Sequence, residues 1–146
     1  PERGWDPVSE EHAEHYSDYE WQHANEQLLD ILEERVGGFK GKRILDLGGG
    51  PGQYSIAFAR RGASVSWCDV SQRYKKIAQA KAIEYQVADK VDFYLSYMDD
   101  VERLLKRATF DFVFNRICWY YGFDDKSFAD VIYRMAASGG LMIAAK

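Results

Sequence analysis

Two features of this chain could do chemistry together because of their spacing. Asp46-Leu47-Gly48-Gly49-Gly50-Pro51-Gly52 packs four glycines into five positions, and an acid, Asp69, comes later. Glycine has no Cβ, so such a run bends sharply and lets a ligand lie directly against the main chain. The helix that follows would offer its N-terminal N–H groups to the same ligand. An acid about 20 residues beyond such a turn, at the end of the next strand, can accept both hydroxyls of a ribose. Taken singly, each has a plainer explanation: a glycine-rich connector, and an acid that caps a helix. Together they favour a nucleoside-bearing ligand. A dinucleotide turn would read GxGxxG. Here Gly48, Gly50 and Gly52 are spaced two apart, and Gln53 stands where the third dinucleotide glycine would be.

The elements that must position these residues follow from hydrophobic periodicity. Residues 1–19 carry Gly4, Pro7 and many polar groups and read as an irregular arm with room for a short helix. From Glu20 to Val36, the apolar stripe Leu28, Leu29, Ile31, Leu32, Val36 predicts a helix that Gly37-Gly38 stops. Strands are expected at residues 43–47, 64–68, 91–95, 110–114 and 141–145. Between them lie helices from Gln53 to Arg61, from a Ser71 cap to about Val87, from Asp99 or Asp100 to about Arg107, and from Asp124 or Asp125 up to Gly139-Gly140. Strand and helix thus alternate about five times, which predicts an α/β fold, a doubly wound, mainly parallel sheet with helices on both faces.

Composition narrows the function classes. The 146 residues fit one domain, and 47% hydrophobic with 29% charged residues is an ordinary globular mix. A net charge of −4 weighs against non-specific nucleic-acid binding, and the local pairs Arg60-Arg61 and Lys75-Lys76 read as solvated surface. Two cysteines, Cys68 and Cys118, form neither a disulfide framework nor a metal-ligand spacing, so no metal is expected and a reducing cytoplasm is the default. No apolar run approaches the roughly 20 residues of a membrane span, so no membrane partner is expected.

These motifs resemble those of the class I S-adenosylmethionine-dependent methyltransferase family. Ile44 to Gly52 is similar to the family's first motif, and implies that Asp46, Gly48, Gly49, Gly50 and Gly52 cradle the methionine part and ribose of S-adenosylmethionine. Cys68-Asp69-Val70-Ser71 resembles the second, whose acid grips the ribose. Tyr97-Met98-Asp99 looks like the third, where the acid or its neighbour meets the adenine amino group. Phe110 to Asn115 resembles the fourth, with Asn115 near the methionine amine and the transferred methyl, and Gly139-Gly140-Leu141 is similar to the fifth-strand signature. The resemblance spans residues 20–146 and implies a Rossmann-like methyltransferase core, with residues 1–19 as an arm or lid. Gly49 is smaller than the residue usual at its place, with no loss expected. The family sheet normally has two further strands after the fifth, so the chain is expected to be truncated at its C-terminus or to rely on a partner.

The catalytic residue is not legible, because an activated methyl donor leaves the protein mainly to position the acceptor. Two clusters compete for the acceptor side. One is Trp119-Tyr120-Tyr121, equally explained as loop packing; the other is the N-terminal set His12, His15, Tyr16, Tyr19, Trp21 and His23, whose histidines read more readily as solvated helix residues. His15 and Tyr16 are the residues chosen for a lid contact. Asn115-Arg116-Ile117-Cys118 lacks the Asn/Asp-Pro-Pro-aromatic run of base-amine methyltransferases, and paired glutamates typical of arginine methylation are missing. A small-molecule acceptor (hydroxyl, carboxyl or amine) remains by elimination. The rivals are a non-catalytic S-adenosylmethionine-binding module and a nicotinamide oxidoreductase. Leu141 to Ala145, uncharged and free of proline, is expected to form an exposed edge through which the protein could oligomerise.

Overall fold

A computed structural model describes residues 6–116 and 125–145, the side chains of 98, 99, 125, 127, 128, 144 and 145 apart. Trp119, Tyr120, Tyr121 and Cys118 lie outside the described residues. The chain begins with α1 (Glu10–Gln22) and α2 (Glu26–Arg35), and then alternates β1 (Arg43–Leu47), α3 (Gln53–Arg60), β2 (Ser64–Asp69), α4 (Gln72–Glu84), β3 (Val91–Leu95), β4 (Phe110–Arg116), α5 (Asp125–Met135) and β5 (Ala136–Ala145). The single helix expected from Glu20 to Val36 is in fact two, and most of the expected irregular arm is helical. Two caps explain the split. Ser9 accepts the His12 N–H to start α1, and Asn25 accepts the Leu28 N–H to start α2. A short polar side chain that captures a backbone N–H begins a new helix instead of continuing the old one.

All strand pairs are parallel, in the order β3-β2-β1-β4-β5. The chain winds outward from β1 through β2 to β3, then returns to β4 on the other side of β1. The carboxyl end of β1 is therefore the switch point where ligands bind in open α/β sheets. The sheet is buried on both faces. Ile44, Trp67, Phe112 and Phe114 pack with Leu29, Leu32, Phe39 and Phe58 on one side. Leu45, Leu47 and Val113 pack with Val131, Ile132 and Met135 of α5 on the other. Residues 44–47 of β1 are all buried, which is why the strand reads as an unbroken apolar run interrupted only by Asp46.

Three further boundaries differ from expectation. α4 stops at Glu84, followed by Gln86 at a φ of 60°. The helix expected to reach Arg107 is a short 3₁₀ segment, Met98–Arg103. Gly139-Gly140 do not end α5, which stops at Met135, but lie inside β5. Ala136 already pairs with Phe110, whereas Leu141 pairs with Phe112, so four residues on β5 stand opposite one on β4. β3 and β5 are the two outer strands of the described sheet, and Met142 of β5 is exposed.

Candidate active site

The turn after β1 is pinned to β2 from below. Gly48 and Gly49 N–H both donate to the Cys68 carbonyl, at 2.8 and 3.1 Å. Gly48, Gly50 and Gly52 all have positive φ, so the two-residue spacing seen in the sequence is the spacing of left-handed positions. The glycine at 49 has a different cause. A Cβ there would fall 2.1 Å from the Trp67 ring, which is wholly buried and donates its Nε1–H to the Gly50 carbonyl at 3.0 Å. The small residue at this place is therefore matched to the indole beneath it. At Gly50 nothing lies within 4 Å of where a Cβ would stand, so the main chain there is bare of side-chain neighbours, although the residue is buried. Gly52 lets the turn meet α4, since a Cβ there would sit 2.7 Å from that of Ala78.

Asp69 stands at the end of β2, beside that bare backbone. One carboxylate oxygen accepts the Gly50 N–H at 2.9 Å and the other the Ser71 N–H at 3.0 Å. Burial pushes its carboxyl above the ordinary range, against the pull of the Ser71 and Gly50 N–H groups. The Val70 N–H adds a third backbone hydrogen bond to the same carboxyl group. Ser71 caps α4 through the Tyr74 N–H and donates its hydroxyl to Asp6, which also accepts the Val8 and Arg73 N–H groups. The first described residue of the chain thus anchors its N-terminal segment beside the acid, a role with no sequence signal. Val70 is half-buried next to Asp69.

Under the turn, Asp46 is buried and accepts the Ser55 hydroxyl at 2.6 Å. Burial pushes its carboxyl up to about 7, opposed by the Ser55 hydrogen bond. Across β1, the buried Asn115 donates its Nδ2–H to the Leu47 carbonyl at 2.9 Å, tying the end of β4 to the start of the turn. Tyr97 is half-buried where the 3₁₀ segment begins; the side chains of Met98 and Asp99 lie outside the described residues.

α1 covers this end of the sheet. Trp21 donates its indole N–H to the Pro51 carbonyl at 2.9 Å, stacks on Tyr85 and lies under Lys81. Tyr16 is half-buried between His12 and Tyr74, whose ring centres are each 5.8 Å away, whereas His15 is exposed. Glu20, Gln53 and Arg116 form a polar cluster that carries no sequence signal beyond Gln53 standing where a dinucleotide turn has glycine. Among the basic pairs, Arg61 binds Glu26, Asp30 and Glu33. No group of described residues could hold a metal ion, and no described helix is long and apolar enough to cross a membrane.

A left-handed glycine with unfilled space beside it, a carboxylate next to it and a helix start beyond it fit a ribose-bearing ligand that lies against the main chain. The comparisons agree. The methyltransferase domain family matches residues 44–140, well over half of the chain. The ubiquinone biosynthesis O-methyltransferase of Alkalilimnicola ehrlichii is 36% identical over 85 residues, covering 58% of this chain and 32% of that protein. The chain thus spans about a third of the length of the curated relatives it matches. A solved S-adenosylmethionine-dependent methyltransferase from Aquifex aeolicus superposes with a TM-score of 0.77 at 17% identity, over 94% of this chain and 72% of that one. One from Geobacter sulfurreducens, solved in complex with S-adenosyl-L-homocysteine, gives 0.69 at 24% identity, over 82% of this chain and 47% of that one. At such identities the structures establish the fold. The chain belongs to the methyltransferase domain family, and its fold is that of solved S-adenosylmethionine-dependent methyltransferases.

Proposed function

We propose that the protein transfers a methyl group from S-adenosylmethionine to a small-molecule acceptor bearing a hydroxyl, carboxyl or amine. The open backbone at Gly50 with Asp69 beside it carries the cofactor half of this reading. The acceptor half is supported by relatives named for O-methylation in ubiquinone biosynthesis. When bound, S-adenosylmethionine supplies a methyl already activated on a sulfonium. The chain's own work is then to hold and orient. Asp69 would take the ribose hydroxyls, and its bond to the Gly50 N–H ties the turn to the end of β2. Asn115 keeps the end of β4 in register with the turn. α1, fastened at Trp21 and Glu20, shields the crevice from water.

Purified protein with methyl-labelled S-adenosylmethionine and a panel of phenols, carboxylic acids and amines tests this. Label should pass to one class. Calorimetry should show binding of S-adenosylhomocysteine and none of NAD. Binding without transfer to any acceptor would favour a cofactor-binding module, and binding of NAD instead would overturn the reading.

A further inference from the structure

Ser71 joins two carboxylates. Its N–H donates to one oxygen of Asp69 at 3.0 Å, and its hydroxyl donates to one oxygen of Asp6 at 2.9 Å. Ser71 is wholly buried and the Asp6 side chain is 10% exposed, whereas Asp69 is half-buried. The same Asp6 oxygen accepts the Val8 N–H at 3.0 Å, and the other accepts the Arg73 N–H at 2.9 Å. The Arg73 guanidinium donates back to the Val8 carbonyl at 2.6 Å and stands 3.8 Å from Asp6. Residues 6–8 are thus clasped to the first turn of α4, 65 to 67 positions away in sequence.

Helix capping does not account for Asp6. Ser71 already caps α4, because its hydroxyl oxygen accepts the Tyr74 N–H at 3.2 Å. Asp6 also lies close enough to Asp69 for the two negative charges to oppose each other, which adds to the burial that pushes the Asp69 carboxyl up. What the second carboxylate provides is a fixed direction for one proton. A serine hydroxyl carries a single hydrogen. Ser71 gives that hydrogen to Asp6, so among the described residues Asp69 receives only main-chain N–H groups, those of Gly50, Val70 and Ser71. Without Asp6 the buried hydroxyl must find another acceptor. The carboxylate that already holds the N–H of the same residue is beside it.

We propose that Asp6 is a positioning residue for the ribose of the cofactor: it draws the Ser71 hydroxyl away from Asp69, so that the Asp69 carboxylate is kept for the ribose hydroxyls. The assignment rests on the S-adenosylmethionine reading of the turn. Asp6 acts through Ser71 and not on the cofactor itself.

Calorimetry with two ligands tests it: S-adenosylhomocysteine, and its 2′,3′-dideoxy analogue, which lacks the ribose hydroxyls. Wild type should prefer S-adenosylhomocysteine. Asp6→Ala should bind S-adenosylhomocysteine roughly fivefold more weakly, the scale of one hydrogen bond, and the dideoxy analogue as wild type does. Asp6→Leu, which fills the same place without an acceptor, should do the same, and it decides if thermal melting shows that the alanine variant does not fold. Adding Ser71→Ala to either variant removes the misdirected hydroxyl and should restore the preference for S-adenosylhomocysteine, a recovery that a merely structural clasp would not show. Equal weakening of both ligands, an unchanged preference in the Asp6 variants, or no recovery on adding Ser71→Ala would each overturn the proposal. If wild type binds both ligands alike, the ribose role of Asp69 and this assignment fail while the cofactor reading stands. If it binds neither, the cofactor reading itself fails.

Discussion

The chain has two glycine clusters, Gly48 to Gly52 after β1 and Gly139-Gly140 inside β5, and one glycine in each, Gly50 and Gly140, is small for an opposite reason. At Gly50 the lost side chain leaves unfilled space, whereas its neighbours Gly49 and Gly52 are fitted to Trp67 and Ala78. Gly50 has a φ of +53° and open space where a Cβ would stand, and its N–H is already held by Asp69. In the second, the lost side chain leaves room for the protein itself. A Cβ on Gly140 would meet three carbonyl oxygens, of Ala137, Phe110 and Asp111, at 2.9 to 3.2 Å. That crowding arises where four residues of β5 pass one of β4. A glycine run signals close approach, and only the surroundings tell whether ligand or backbone is approaching.

The largest effect expected from breaking this contrast is at Gly50. Gly50→Val should abolish S-adenosylhomocysteine binding in calorimetry, because the side chain enters the open space. The left-handed conformation should cost stability only about 1–2 kcal/mol, leaving the circular dichroism spectrum near normal. Gly49→Ala comes next, since its Cβ would fall 2.1 Å from the Trp67 ring. It should lose roughly 1–3 kcal/mol in urea unfolding, the usual cost of overpacking. Adding Trp67→Leu should return part of that loss, measurable as a positive coupling in a double-mutant cycle.

Asp69→Ala should weaken S-adenosylhomocysteine binding about tenfold or more, since it removes charge-assisted hydrogen bonds to the ribose. Unchanged affinity in a folded variant would reduce Asp69 to a brace for Gly50 and Ser71. Gly140→Ala sharpens the contrast from the other side. It should destabilise by about 1 kcal/mol or more through overpacking, yet leave S-adenosylhomocysteine affinity at the wild-type value.

A pH dependence tests the floor of the turn rather than its glycines. Asp46, with its carboxyl pushed up to about 7, binds its proton more tightly folded than unfolded. Its contribution to stability is therefore fully present below its unfolded value, near pH 4, and is lost as pH rises through about 7. Asp46→Asn should flatten that part of the stability profile in urea melts taken from pH 4 to pH 8. A slope unchanged by the substitution would mean that Asp46 does not carry this proton.

The amino-acid sequence by itself determined the alternation of strands and helices, the first motif and the acid at Asp69. These rest on local physics: buried strands read as apolar runs, Ser71 caps its own helix, and left-handed positions demand glycine wherever they occur. The limits of β3 and the start of α4 were legible for the same reason. Local signals failed where a distant residue decides. The end of α5 is set by pairing of Ala136 with Phe110 on β4, and the Gly139-Gly140 pair, read as a helix stop, is a strand irregularity. The size of residue 49 is set by Trp67, which lies 18 positions on and below the turn. Asp6 reaches Ser71 and Arg73 across the chain, and Glu20 gathers Gln53 and Arg116 from two other elements. Such contacts have no period and no fixed spacing. They exist only once the sheet has wound outward from β1 on both sides and brought the starts of helices and the ends of strands to one rim.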